Sequence, residues 1–113
     1  MALELVMLVL KLLMTEINYK MNGVVIIGMT IDGKTREIVA NTDVQTRGFI
    51  YLKDSENVVK GIMNIAETEL ESYKNKTEED IRDVRQNIKD KVNKYIIKET
   101  GKRPVILPVI IEL

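Results

Sequence analysis

Arg47 and Gly48, within Thr46-Arg47-Gly48-Phe49-Ile50-Tyr51, are the residues of this chain whose chemistry is best suited to recognition. A guanidinium is a planar fork that takes a phosphate or a carboxylate through two parallel hydrogen bonds, and an adjacent glycine lets the backbone bend to present it. The plainer reading is that Gly48 sets the bend and Arg47 pairs with a nearby acid to fix the chain's path. Lys89, Lys91, Lys94 and Lys98, continued by Lys102 and Arg103, form the main basic run. Asp90 and Glu99 interrupt it, which fits a solvated helix face; a local RNA-facing patch of Lys91, Lys94, Lys98 and Lys102 is the functional alternative. Glu78, Glu79, Asp80 and Asp83 form the densest acidic group. They climb the start of a helix, where carboxylates offset the positive end of the dipole, and they lack the glycine turn of a calcium loop.

What is missing limits the chemistry further. The chain contains no histidine and no cysteine, which excludes disulfides, thiolate zinc sites and a cysteine nucleophile, and is compatible with a reducing, cytoplasmic setting. An independent enzyme would depend on carboxylates, lysine or tyrosine, and no spacing gathers such groups. Seventeen basic and seventeen acidic residues cancel, so no global field draws the chain onto phosphate backbones. The aromatics, Tyr19, Phe49, Tyr51, Tyr73 and Tyr95, form no stacking platform of the kind that reads single-stranded RNA. Neither a catalytic residue nor a metal site is assigned, and no cofactor is expected for this chain.

The elements that position these residues follow from periodicity. With 113 residues, 45% of them hydrophobic and 30% charged, the chain fits one folded domain. The apolar opening, residues 1–14, is a poor signal peptide: Glu4 precedes most of it and no small-residue cleavage site follows. It is also too short to span a bilayer, and Lys11 interrupts it. Residues 1–22 are read as a leader or linker remnant, and 23–113 as the domain.

Val25, Ile27, Met29 and Ile31 alternate onto one face of a strand, Asp32-Gly33-Lys34-Thr35 supplies a tight turn, and residues 36–40 are expected to return as the antiparallel partner. The chain is expected to stay extended from Val44 to Tyr51, with Gly48 allowing a bulge. Asp54 or Ser55 can cap a helix whose face is Val58, Ile62, Ile65, Ala66, Leu70 and Tyr73. Thr77 with Asp80 resembles a capping box opening a second helix, with Ile81, Val84, Ile88, Val92, Tyr95 and Ile96 on one face and Gly101 as its stop. The short link predicts an antiparallel helix hairpin. Residues 105–113 read as a strand, with Pro108 at an edge or bulge. The predicted class is α+β: a sheet of about three strands covered on one face by two helices, in the order β-β-α-α-β.

Thr30-Ile31-Asp32 closing the first strand, Arg47-Gly48-Phe49-Ile50-Tyr51, and the terminus Arg103-Pro104-Val105-Ile106-Leu107-Pro108-Val109-Ile110-Ile111-Glu112-Leu113 resemble the C-terminal domain of ribonuclease J. The two prolines at fixed spacing inside an apolar terminus are the most specific part. The resemblance runs from about Gly23 to Leu113, and residues 1–21 do not match the basic connector that leads into this domain in the family. It implies a small sheet packed on two helices and a parent that processes and degrades RNA by endonucleolytic and 5′ exonucleolytic action. The nuclease chemistry of that family belongs to a separate metallo-β-lactamase domain whose zinc is held by a histidine-rich motif, and no position here matches it. What remains for this domain, on the resemblance, is oligomer assembly and organisation of the catalytic part, with RNA reached through the parent and no membrane.

Arg47, Gly48, Phe49, Tyr51 and Arg103, with Val105, Leu107, Val109 and Ile111 of the terminal strand, are therefore the expected interaction residues. Alternate residues of a strand face opposite ways, so helices on one face leave the other needing a cover. Three covers are open: the leader Leu3 to Met14, a second copy of the chain, or the parent's catalytic domain. Self-association is the favoured expectation; a free-standing RNA-binding module is the alternative.

Overall fold

Val24–Ile31 forms the central strand, β1, and every one of its residues is buried. In the computed structural model, which describes residues 2–17, 23–48, 55–76 and 78–113, Asp43–Arg47 (β2) lies antiparallel on one side of β1 and Val105–Glu112 (β3) parallel on the other. The sheet order is thus β2-β1-β3. β1 is apolar on both faces because both are covered. Val25, Ile27, Met29 and Ile31 point into the main core, while Val24 and Ile26 join a second, smaller cluster on the opposite face.

The main core is closed by two helices, Ser55–Lys74 (α2) and Ile81–Thr100 (α3). Their apolar residues recur every three or four positions, so each helix presents one stripe to the sheet. Val58, Ile62, Ala66, Leu70 and Tyr73 meet Val84, Ile88, Val92 and Ile96 there. The helices approach closely at Gly61, where an added Cβ would lie 2.1 Å from the Tyr95 hydroxyl. α3 is capped by Asp80, whose carboxylate accepts from the Arg82 amide at 2.8 Å, so the helix begins after Asp80 and not at the expected Thr77 box. Thr77 and Asp54 lie outside the described residues. Gly101 ends α3 in the left-handed conformation and donates its N–H to Ile97 O, as expected.

The order β-β-α-α-β stands, and its second strand is displaced. Residues 36–40 make a single bridge, Ile38 to Ile31, and regular pairing resumes only at Asp43. The cause lies at Arg36, which adopts a positive φ of 64°. Its guanidinium donates to Tyr73 O at 3.2 Å and Lys76 O at 2.7 Å, and lies 3.9 Å from the centre of the Tyr73 ring. It thereby adds a second donor to two carbonyls at the end of α2, which also accept from the Lys76 and Glu79 amides, and the chain leaves the sheet to place it there. Residues 2–17, expected as a leader, form a helix, Ala2–Ile17 (α1), which lies on the second face of the sheet.

Candidate assembly surface

The register of the sheet joins the two motif segments. Val24 pairs with Arg47 on one side and with Val105 on the other, so Arg47-Gly48 and Arg103-Pro104 arrive at the same end of the domain. Gly23 makes this approach possible. It has φ +105°, its carbonyl accepts from Val105 N at 2.9 Å, and a Cβ there would lie 2.6 Å from Arg47 O and 2.8 Å from Gly48. Gly48 is left-handed, with φ 67°, so the bend predicted at this position is present. Arg47, Gly48 and Arg103 are exposed, whereas Pro104 is buried. Phe49 and Tyr51 lie outside the described residues.

Among the described residues β3 has an open edge as well as two faces. Val105 N and Leu113 N both donate towards β1, to Gly23 O and Ile31 O. In a parallel ladder alternate residues use both backbone groups on the same neighbour, so the odd-numbered residues bond to β1 and the even-numbered ones turn outward. Pro108, which has no N–H, falls on that outward set, at an edge as expected. The side chains divide by the same parity. Ile106 and Ile110 join the main core, and Val105, Leu107 and Val109 pack with Met7, Leu3 and Leu10 of α1. Among the described residues the cover on this face is therefore α1; of the four strand residues expected at an interface, Val105, Leu107 and Val109 lie half-buried beneath it, and Ile111, also half-buried, lines a neighbouring groove.

α1 sits close because Gly28 faces it: a Cβ at Gly28 would lie 2.9 Å from Met7 Sδ and 3.0 Å from Leu3 Cδ1. While Leu3, Met7 and Leu10 turn inward, Leu5, Leu8 and Val9 remain 64%, 55% and 48% exposed. A helix that is apolar on both sides is normally covered on both. Near the start of α1 a groove of about 450 Å³ opens between Leu3 and Glu4, the loop Val39 to Asp43, and Ile111 and Leu113 of the terminal segment. Thr30 and Thr42 also line it, and neither hydroxyl has a hydrogen-bond partner among the described residues.

The basic residues separate into two stripes. Lys91 pairs with Glu69, a carboxylate that is almost fully buried on α2, so its ammonium helps hold the helix hairpin together. Lys94 and Lys98 are exposed, and Lys102 is half-buried with its amide donating to Thr100 Oγ1. A second stripe, Arg82, Arg85 and Lys89, runs with Gln86 beside Leu10, Leu107 and Pro108 along the open edge of β3. Arg82 and Arg85 are not among the basic residues singled out from the sequence, although their spacing to Lys89, i, i+3, i+7, is a signal of one helix face. Arg82 is held by Asp80 at 3.1 Å. Its side-chain hydrogen bond, followed by its backbone N–H, holds the Asp80 carboxyl below its ordinary value. Among the described residues no three histidine, cysteine or acidic side chains gather where a metal ion would be held. No helix among them is long and apolar enough to cross a membrane.

Residues 18–113 match the family model described as the ribonuclease J C-terminal domain. The chain is also similar to proteins named ribonuclease J 2. It is 30% identical over 92 residues to that of Streptococcus pyogenes serotype M3, covering 81% of this chain and 17% of the relative. For the Staphylococcus epidermidis protein (strain RP62A) the identity is 32%, and for that of Staphylococcus aureus (strain NCTC 8325) 30%, each over 81% of this chain and 16% of the relative. The chain thus spans about a sixth of the length of these relatives. The family match begins where α1 ends.

Proposed function

The chain belongs to the ribonuclease J C-terminal domain family, and from that premise we propose that it is a noncatalytic assembly domain of an RNA-processing and RNA-decay nuclease. In this reading the endonuclease and 5′ exonuclease action, and the zinc that supports it, reside in a separate metallo-β-lactamase domain, and the protein works in the cytoplasm. The domain's own part is to bring copies, or the catalytic part, together. The observation that carries the reading is the exposed apolar stripe of α1 above a sheet face that is already full. Apolar surface of this kind is the usual mark of a partner. Sedimentation over micromolar to millimolar concentration is expected to show a dimer or larger species, and the isolated chain with added zinc is expected to leave RNA uncut. A monomer throughout that range would remove the self-assembly reading.

A second reading, a small RNA-binding module, is favoured by Arg82, Arg85 and Lys89 beside the open edge of β3. It requires binding to short single-stranded RNA that weakens steeply with salt, because each neutralised phosphate releases a counterion. Asp80, engaged with Arg82, and the zero net charge of the chain both weigh against strong binding.

A further inference from the structure

We propose that the groove at the start of α1 is a small-molecule site, and that it takes an uncharged amphiphile: an apolar body carrying a head group that both donates and accepts hydrogen bonds, a primary carboxamide being the simplest. The site is separate from the exposed stripe of α1 and does not depend on the assembly reading. Its residues come from four places in the chain: the start of α1, the end of β1, the loop from Val39 to Asp43, and the terminal segment. Its volume of about 450 Å³ falls in the usual range of about 300–1,000 Å³ for such sites.

The floor is polar and the walls are not. Thr30 and Thr42 are the buried residues of the lining, 5% and 4% exposed, while Leu3, Val39, Ile111 and Leu113 rise around them half-buried or exposed. Neither hydroxyl has a partner among the described residues. A buried hydroxyl with its bond unmade weakens a fold, so nearly all are paired, and two in the floor of one groove leave bonding capacity there for a ligand. Either can be turned to the groove, because rotation about the Cα–Cβ bond exchanges hydroxyl and methyl within nearly the same volume.

Charge narrows the head group. Among the described residues no lysine or arginine lines the groove, whereas two acids do: Glu4, itself engaged within the chain, and Asp43. The Asp43 carboxylate accepts from the Gln45 amide at 2.9 Å, a neutral partner that cannot cancel its charge. A phosphate or carboxylate is therefore repelled. A cation would be drawn to Asp43 but would lose its hydration against the apolar walls above the threonines. A hydroxyl donates and accepts at once, and an amide answers both with its C=O and N–H while escaping either penalty.

The test is an amide NMR titration of the intact chain with three probes that share one body: 3-phenylpropanamide, 3-phenylpropanoate and protonated 3-phenylpropylamine. The carboxamide is expected to shift the signals of Thr30, Thr42 and Val39 and to bind about tenfold more tightly than either charged probe. Thr30→Val and Thr42→Val keep the shape and remove one hydroxyl each, with circular dichroism as the control for folding. Each is expected to weaken carboxamide binding about three- to tenfold, while ethylbenzene, which lacks a head group, binds the variants and the parent alike. Equal binding of the three probes, or an unchanged carboxamide affinity when both threonines are replaced, would overturn the proposal, since the floor would then select nothing. Shifts confined to Leu5, Leu8 and Val9 would overturn the site by placing binding on the outer stripe of α1, and so would the absence of any shift with all three probes. None of these outcomes alters the sedimentation result expected above, so the site and the assembly reading fail separately.

Discussion

On one side of β1, Val25, Ile27, Met29 and Ile31 meet two long helices whose outer surfaces are polar; on the other, Val24 and Ile26 meet a single helix that is apolar inside and out. The first face is finished by the domain itself. α2 and α3 bury their stripes, α3 is capped at both ends, and the carbonyls at the end of α2 are served by Arg36. The second face is sealed against the sheet but carries the problem outward, because covering Val105, Leu107 and Val109 with α1 exposes Leu5, Leu8 and Val9 instead. The comparison separates a face that gives the domain its stability from one that gives it a surface to share.

The largest effect is expected at the centre of the finished face. Ile88 is fully buried among the residues of the main core, and Ile88→Ala removes three carbons from a site walled by two helices and a sheet. Such deletions destabilise by about 2–5 kcal/mol, a large fraction of the total of about 5–15 kcal/mol for a domain. Urea denaturation followed by circular dichroism would show it as a lower midpoint with an unchanged slope. If Ile88→Ala were nearly neutral, the hairpin face would not be the source of stability.

A smaller effect, confined to the other face, is expected from Gly28→Val. The new side chain meets the ends of Met7 and Leu3, which are flexible, so the helix is lifted and the sheet is not broken. Overpacking of this kind costs about 1–3 kcal/mol. Limited proteolysis is expected to cleave α1 in this variant while amide exchange in α2 and α3 stays slow. Loss of protection in all three helices together would show that the two faces are one cooperative unit.

Most of the finished face was legible in the sequence. The stripes of α2 and α3, the stop at Gly101 and the edge position of Pro108 each follow from a local rule, periodicity or backbone chemistry, that tertiary contacts reinforce. Two features were not legible, for reasons that are themselves tertiary. The second strand is displaced because Arg36 serves carbonyls some forty residues away, and nothing near Arg36 in sequence announces that. α1 read as a leader because a nearly continuous apolar run, broken only by Glu4 and Lys11 over residues 1–14, leaves too narrow a polar face to set its period. At the candidate surface, the strand residues were recognised and the leader Leu3 to Met14 stood as one of three possible covers, but the choice among them is tertiary, and the Arg82, Arg85 and Lys89 stripe acquires meaning only from the β3 edge beside it.

Thr30 belongs to the face that α1 covers, and its hydroxyl is buried without a hydrogen-bond partner among the described residues. Thr30→Val keeps the shape and removes the unmade bond, so it is expected to raise stability by up to about 1 kcal/mol. A rise in the thermal midpoint checks this, and a fall would mean that the hydroxyl has a partner in solution, within the groove lined by Leu3 and Ile111.

Acid should distinguish the faces most gently. The Asp80 carboxyl is held below its ordinary 3.8 by the Arg82 side-chain hydrogen bond and then by the Arg82 backbone N–H. Asp32 is lowered likewise, by the backbone N–H groups of Thr35 and Lys34. Because the folded values are depressed, the unfolded chain takes up protons first as pH falls. The stabilisation is therefore fully present above about pH 5 and is lost progressively as pH drops through 3.8 and the lowered folded values. Asp80→Asn keeps an acceptor for the Arg82 amide but can neither titrate nor pair with the guanidinium, so its thermal midpoint should start slightly lower and fall less steeply with acid. Amide exchange at the first turn of α3 should quicken over the same range. The contacts of Met7, Val24 and Ile26 are apolar and carry no titrating group, so exchange along α1 should hold its pace until the whole domain unfolds. If α1 loosened first, its seat on the sheet would depend on a charge, and the division between a finished face and a shared one would have to be redrawn.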